Sequence, residues 1–212
     1  MPVLQSEEEG KAYCAARCSA ESLLKLELFG ELLAEENTRQ NLVARGSLES
    51  VWVRHFADSI QLLTHVPRET PGPWLDLGTG AGLPGVIIAI ARPDIPVTLV
   101  ENRRKRIEWL HEAIDRIGLQ NVDVEGRKVE AVEAISAGVI SARAFAPLSK
   151  LLLLSKRFST DATRWVLPKG RSAVQELKIE HQAGLHGMFH VERSVTDADA
   201  RILVGRGRPS YR

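Results

Sequence analysis

Cysteine is nearly absent from the 212 residues: Cys14 and Cys18 are the only two. They stand four apart on an expected helix, with no second cysteine pair and no nearby histidine. They therefore read as incidental helix-face thiols rather than a zinc site or a disulfide framework. Long apolar runs are also missing. No stretch approaches the ~20 residues of a membrane span, and Glu7, Glu8 and Glu9 stand where a secretory leader needs positive charge. A cytoplasmic chain is the expectation.

The absent motifs narrow the chemistry. Without a Gly-Lys-Ser/Thr ending there is no phosphate loop for nucleotide hydrolysis, and without Gly-x-Ser-x-Gly there is no hydrolase elbow. His186 and His190 are four apart, but Gly184 and Gly187 disfavour a helix there and no third ligand is evident, so no metal is expected.

What is present is ordinary globular composition, 44% hydrophobic and 26% charged. A chain of this length buries roughly 70% of the surface that its unfolded form exposes. The formal charge of +1 hides an asymmetry. Residues 1–36 hold eight acids and three bases, net −5, which leaves +6 for residues 37–212. Arg201, Arg206, Arg208 and Arg212 crowd the last twelve residues without an acid, a candidate phosphate-facing edge.

Ser6 followed by Glu9 predicts a capping box and a helix over 6–18. A second helix follows Ser19, with Leu23, Leu24, Leu28, Phe29, Leu32 and Leu33 as its buried face and Glu27, Glu31 and Glu35 on another. Residues 37–41 break that pattern, and Ser47 predicts the cap of a third helix to about Leu63. From Trp74 short apolar runs alternate with amphipathic segments. Strands are expected at 74–77, 97–100, 122–125, 138–142 and 164–167, and their alternation with helices implies a parallel sheet with right-handed crossovers. After a helix at 171–182, runs at 188–194 and 200–204 are joined by a connection too short for anything but antiparallel pairing. The expectation is an α/β, doubly wound, Rossmann-like methyltransferase sheet of five parallel strands plus a C-terminal antiparallel pair (residues 69–212). An N-terminal helical extension (1–68) precedes it.

The sharpest motif is Leu75-Asp76-Leu77-Gly78-Thr79-Gly80-Ala81-Gly82-Leu83-Pro84-Gly85, a strand entering a glycine-rich turn and then a helix. Glycines serve where a turn needs positive φ or a ligand approaches the backbone. Asp76 stands at the mouth of the turn, where a dinucleotide pyrophosphate would meet an unwanted negative charge but the ammonium and sulfonium of S-adenosylmethionine would be attracted. Glu101, 23 residues after Gly78, can accept from both ribose hydroxyls. The alternative is that Asp76 caps the following helix and Glu101 is a solvated strand end. The place after the fourth strand reads Ser141-Ala142-Arg143-Ala144-Phe145-Ala146-Pro147, not the Asp/Asn-Pro-Pro-aromatic run of amino-methylating enzymes. Neither cysteine lies near the turn to attack a pyrimidine. An acceptor that is already nucleophilic, such as guanine N7, needs no such residue.

The chain also resembles the small-subunit ribosomal RNA guanine-N7 methyltransferase G family, also called glucose-inhibited division protein B. The matching segments are Asn41 to Ala44, Arg54 to Ser59, Asp76 to Gly85, Glu101 with Lys105-Arg106, Arg127 to Glu130, Ser141 to Leu148 and Pro168 to Gly170, in the family's order. The resemblance implies methyl transfer from S-adenosyl-L-methionine to N7 of guanosine 527 in 16S rRNA, acting on free rRNA or the small ribosomal subunit as a monomer. It places cofactor contacts at Gly78, Leu83, the Val129-Glu130 pair and Arg143. With Asp76, Gly80 and Glu101 from the motif, these are the expected cofactor residues. Many relatives have Asp-Ser where Glu101-Asn102 stands, which keeps the carboxylate, and often an acid where Ala137-Gly138 stands, a role unassigned in this chain.

Arg143 and Lys169 end the fourth and fifth strands and are expected to position substrate, with no general base: Arg143 could pair with the methionine carboxylate or an RNA phosphate or form a structural salt bridge, and Lys169 could contact an RNA phosphate or be solvated. His55 and Asp58, three apart on the third helix, could bond each other or cover the site; without the resemblance His55 reads as a helix-packing histidine. Arg103 to Arg106 are a solvated helix start that could join an RNA track, and Phe145 is a candidate platform for an unstacked base. Methylation of a small molecule, or a cofactor-binding RNA module without catalysis, are the other readings.

Overall fold

The computed structural model describes residues 3–211. Seven strands form one sheet: β1 Trp74–Leu77, β2 Val97–Val100, β3 Val122–Glu125, β4 Val139–Ser141, β5 Arg164–Lys169, β6 Phe189–Arg193 and β7 Arg201–Arg206. Their order is β3-β2-β1-β4-β5-β7-β6. The first five are parallel, and β7 runs antiparallel to both β5 and β6. This is the expected Rossmann-like α/β architecture, and the order reverses between β1 and β4, where such sheets bind ligands beyond their carboxyl ends.

Eight α-helical segments accompany the sheet: α1 Glu7–Ala15, α2 Ala20–Glu36, α3 Arg45–Leu48, α4 Asp58–Ile60, α5 Gly85–Ala91, α6 Arg104–Ile117, α7 Leu148–Ser155 and α8 Ala173–Gln182. Alternate strand residues feed two cores. Trp74, Val97, Leu99, Val139 and Val166 face a cluster shared with Leu26, Phe29, Leu33, Phe56 and Ile60 of the N-terminal segments. Leu75, Leu77, Val100, Ile140, Trp165 and Leu167 face the side of Leu148, Leu152 and Leu177 on α7 and α8. The extension thus packs into the core on one face of the sheet. Among the described residues no helix is long and apolar enough to cross a membrane.

Three local expectations need correction. Ser6 Oγ accepts from the Glu9 amide as predicted, but the Glu9 carboxylate bonds the Gln5 amide rather than that of Ser6. Leu24 is 66% exposed, and Leu26, four residues before Gly30, takes the place expected for it in the α2 core face. Ser47 caps nothing: the third helix is broken into α3, a π-helical turn at Trp52–Ala57, α4 and a 3-10 turn at Gln61–His65. Glu7 accounts for the break. Its two carboxylate oxygens accept the Trp52 and Val53 amides at 2.9 and 3.0 Å, donors that a continuous helix would have turned back on itself. The chain re-enters the helix through the wider π turn.

Candidate active site

Two cavities open at the carboxyl ends of the parallel strands, on either side of the segment that leaves β4. The smaller, about 230 Å³, is lined by Gly78, Glu101, Asn102, Arg103, Arg106, Arg127, Val129 and Phe145 among others. The larger is a cleft of about 950 Å³ whose walls include Leu42, Val43, His55, Asp58, Arg143, Phe145, Lys169, Thr196 and Arg201. Ala144 and Phe145 border both.

Glu101 closes the floor of the small cavity. Its Oε2 accepts the Gly80 amide at 3.1 Å, and Oε1 accepts the Asn102 and Arg103 amides at 2.7 and 2.9 Å. Arg106 stands 3.8 Å away. A carboxylate offers about four acceptor positions, so three are spent on holding the glycine turn in place. One remains for a ribose hydroxyl, where the sequence suggested two. Gly78 has φ +66 and no room for a side chain, because a β-carbon there would stand 2.3 Å from Phe145 Cδ2. Val129 is buried against this cavity, while Glu130 is exposed and its carbonyl accepts from Arg157.

Asp76 is not at the mouth of the turn. It lies on the β1 face turned toward α5 and is completely buried. Oδ1 accepts from Ser141 Oγ at 2.6 Å, and Oδ2 accepts the Gly85 amide, the first residue of α5, at 3.0 Å. Burial pushes its pKa up, against the pull of these bonds. The helix-capping alternative describes its contacts, and direct attraction of a cationic ligand does not. Leu83 likewise packs its side chain into the hydrophobic cluster and lines neither cavity.

The cleft is walled by segments distant in sequence. Asn37, buried at the end of α2, accepts the Leu42 and Val43 amides on Oδ1 and so sets the near wall. Asp58 gathers the far side: Oδ1 accepts from Thr196 Oγ1 at 2.7 Å and from Gln61 Nε2 at 2.9 Å, and Oδ2 meets Arg143 at 3.3 Å. His55 and Asp58 do not bond each other. His55 Nε2 pairs with Ser47 Oγ at 2.9 Å, and burial, then Arg143 and Arg54, push its pKa down to about 4. Lys169, expected as an RNA-phosphate contact or a solvated side chain, is paired within the protein. It donates to Glu176 at 2.8 Å and to the Ala146 carbonyl at 3.1 Å. Burial alone would raise Glu176, but bonds from Lys169, Ser172 and the Leu148 amide outweigh it and its pKa falls.

The basic C-terminus is split by the sheet. Arg201 pairs across from Lys169 at the cleft, whereas Arg206 pairs with Arg164 at the opposite end of β5. Arg212 lies outside the described residues. Among the described residues Arg201 and Arg206 therefore do not form one continuous phosphate-facing edge. Sequence reasoning missed the wall built by Ser194, Thr196 and Asp197, because a turn residue gives no local sign of the helix it will face. Among the described residues no group of three or more histidine, cysteine or acidic side chains could hold a metal.

The fold has known counterparts. The fold matches a SAM-dependent methyltransferase of Aquifex aeolicus, with a TM-score of 0.57 at 15% identity, covering 74% of this chain and 92% of that one. It also matches a fibrillarin/Nop5p complex, with a TM-score of 0.55 at 15% identity, covering 73% and 82%. These likenesses concern the fold. In sequence, the chain is 57% identical over 206 residues to the ribosomal RNA small subunit methyltransferase G of Erythrobacter litoralis, covering 97% of this chain and 99% of the relative. It is 56% identical to the protein of the same name from Novosphingobium aromaticivorans, covering 87% and 80%. Residues 22–201, from the second helix to the start of the last strand, match the model of the GidB family, rRNA small subunit methyltransferase G, and the chain belongs to that family.

Proposed function

We propose that the protein methylates N7 of a guanosine in 16S ribosomal RNA, guanosine 527 of the decoding-region loop, in the cytoplasm, with S-adenosylmethionine as donor. When bound, that cofactor supplies an electrophilic methyl group. The residues of the small cavity suit it: Glu101 keeps an acceptor position for a ribose hydroxyl, and at Gly78 no side chain of the turn itself stands in the way, only the Phe145 ring that lies over it.

The observation that carries the choice of acceptor is the state of every acid and base around the cleft. Asp58 is occupied by Thr196, Gln61 and Arg143, and Glu176 by Lys169, Ser172 and the Leu148 amide. Asp197 is held by Arg54 and the Asp199 amide. His55 is buried, with Nε2 on Ser47. No acid among them stands free, and His55 Nδ1, which has no partner, is sealed from solvent, so none is placed as a general base. An acceptor with an available lone pair needs none, and guanine N7 is one. The protein's part is then to orient the base and exclude water, and a cleft of about 950 Å³ has room for an unstacked nucleotide. Burial pushes Cys14 up to about 12 and Cys18 up to about 11, so neither supplies a thiolate for covalent catalysis.

The test uses the product's chemistry. An N7-methylated guanosine carries a fixed positive charge, so borohydride reduction and aniline treatment cut the chain there. Naked 16S rRNA and assembled small subunits from a deletion strain are each incubated with the protein and cofactor, then cleaved. A break at guanosine 527 that depends on the protein is expected in at least one substrate. Methyl incorporation at another base would overturn the position, and incorporation only into small molecules would overturn the RNA.

A further inference from the structure

Phe145 is the partition between the two cavities. Its ring lies against Gly78, with Cδ2 and Cε2 at 2.3 and 3.2 Å from where a β-carbon would stand. The small cavity by itself measures about 230 Å³, below the ~300 Å³ at which small-molecule pockets begin. A nucleoside seated at Glu101 whose other end reaches the cleft has to cross Gly78, and the ring occupies that crossing.

The backbone under the ring is strained and lightly held. Ala144 has φ +52, and among the described residues it is the one non-glycine with positive φ. L-residues adopt that region only at a cost. Among the described residues neither the Ala144 nor the Phe145 amide donates a hydrogen bond, whereas both flanks are tied. Arg143 is held by Asp58, and the Ala146 carbonyl by Lys169. Two residues thus hang between two anchors.

We propose that Phe145 is a gate, resting on the cofactor reading above. In the conformation described, its ring closes the corridor over Gly78. When the cofactor enters, the ring swings toward the cleft and Ala144 relaxes to negative φ. The ring then becomes a wall of the acceptor cleft, on which an unstacked base can lie. The acceptor site is complete only once the cofactor is in place, so cofactor binds before RNA. Phe145 acts as a positioning residue that couples the two sites.

Phe29, Phe56, Phe158 and Phe189 are buried, which leaves Phe145 as the half-exposed phenylalanine. Protein labelled with 4-fluorophenylalanine therefore carries one mobile reporter, assigned by its loss in Phe145→Leu. Titration with S-adenosylhomocysteine, followed in parallel by calorimetry, should shift that fluorine resonance saturably and leave the other four nearly still. In stopped-flow measurements Phe145→Ala should bind about tenfold faster, having no closed state to leave. Ala144→Gly removes the cost of the closed conformation and should bind several-fold more slowly. Calorimetric binding with an unmoved Phe145 resonance, or association rates unchanged in both variants, overturns the gate. Absence of any binding overturns the cofactor reading instead, and the gate falls with it.

Discussion

Ser141 Oγ donates to Asp76 Oδ1 at 2.6 Å and at the same time accepts from the Trp74 indole N–H at 2.8 Å. One hydroxyl thereby joins β4 to β1 directly beneath the glycine turn. The second Asp76 oxygen continues the chain to the first amide of α5. Gly85 has to be glycine for this, since a β-carbon there would meet Leu99 at 2.2 Å and Asp76 Oδ2 at 2.8 Å.

Ser141→Ala should leave the buried Trp74 N–H and one Asp76 oxygen without partners, destabilising the protein by about 2 to 4 kcal/mol. Urea denaturation measures it. Asp76→Asn should also lose stability, with any loss of cofactor affinity following from the displaced turn. If Asp76→Asn kept full stability and lost only affinity, Asp76 would instead be a charge partner of the cofactor.

Glu101→Ala removes a carboxylate that serves three amides and one open acceptor position. Cofactor affinity should fall by roughly 1.5 to 3 kcal/mol, with a lower melting temperature because the Gly80 turn loses its anchor. Calorimetry and thermal denaturation on the same samples separate the two effects. An unchanged dissociation constant would reduce Glu101 to scaffolding.

Lys169→Met should strand Glu176, whose other partners are the Leu148 amide and Ser172. Leaving a half-buried carboxylate without its cation costs on the order of 1 to 3 kcal/mol. The double variant Lys169→Met, Glu176→Gln should recover most of that stability. If the single variant instead kept its stability and lost only RNA affinity, with a shallower salt dependence, Lys169 would be a phosphate contact after all.

His55 gives a pH dependence of definite sign. Its folded pKa is depressed to about 4 from an ordinary 6.5, so between those values the unfolded chain binds the proton and the native one does not. The contribution is complete above about pH 6.5 and shrinks as pH falls toward 4, by up to about 3 kcal/mol. His65, also lowered, acts in the same direction. Comparing urea midpoints of wild type and His55→Gln at pH 7.5 and 5 isolates the term: the variant should lose less on acidification. Equal losses would mean that the ring titrates normally.

The strand positions and the glycine turn were legible in the sequence because both rest on local rules. Alternating apolar residues at Trp74, Leu75 and Leu77 serve two cores, and Gly78 and Gly80 sit where the turn needs positive φ. Glu101 was legible for the same reason, as the acid at the end of the second strand. Ser19 capping the second helix through the Ser22 amide is another local rule kept.

Which way a strand-end side chain points depends on register and on the element packed over it, and neither is local. Asp76 belongs to the face covered by α5, so a carboxylate that looked like a ligand group became a buried cap. The cleft wall joins Asp58 to Thr196 across 138 positions and Asp58 to Arg143 across 85. No periodicity records such pairings. By itself the sequence determined the sheet, its glycine turn and the family; the tertiary structure decided which charges are free. Arg54 pairs with Asp197 and Arg143 with Asp58 across distant segments, and Lys169 with Glu176 across seven residues, because a charge half removed from water is stable only when it is paired.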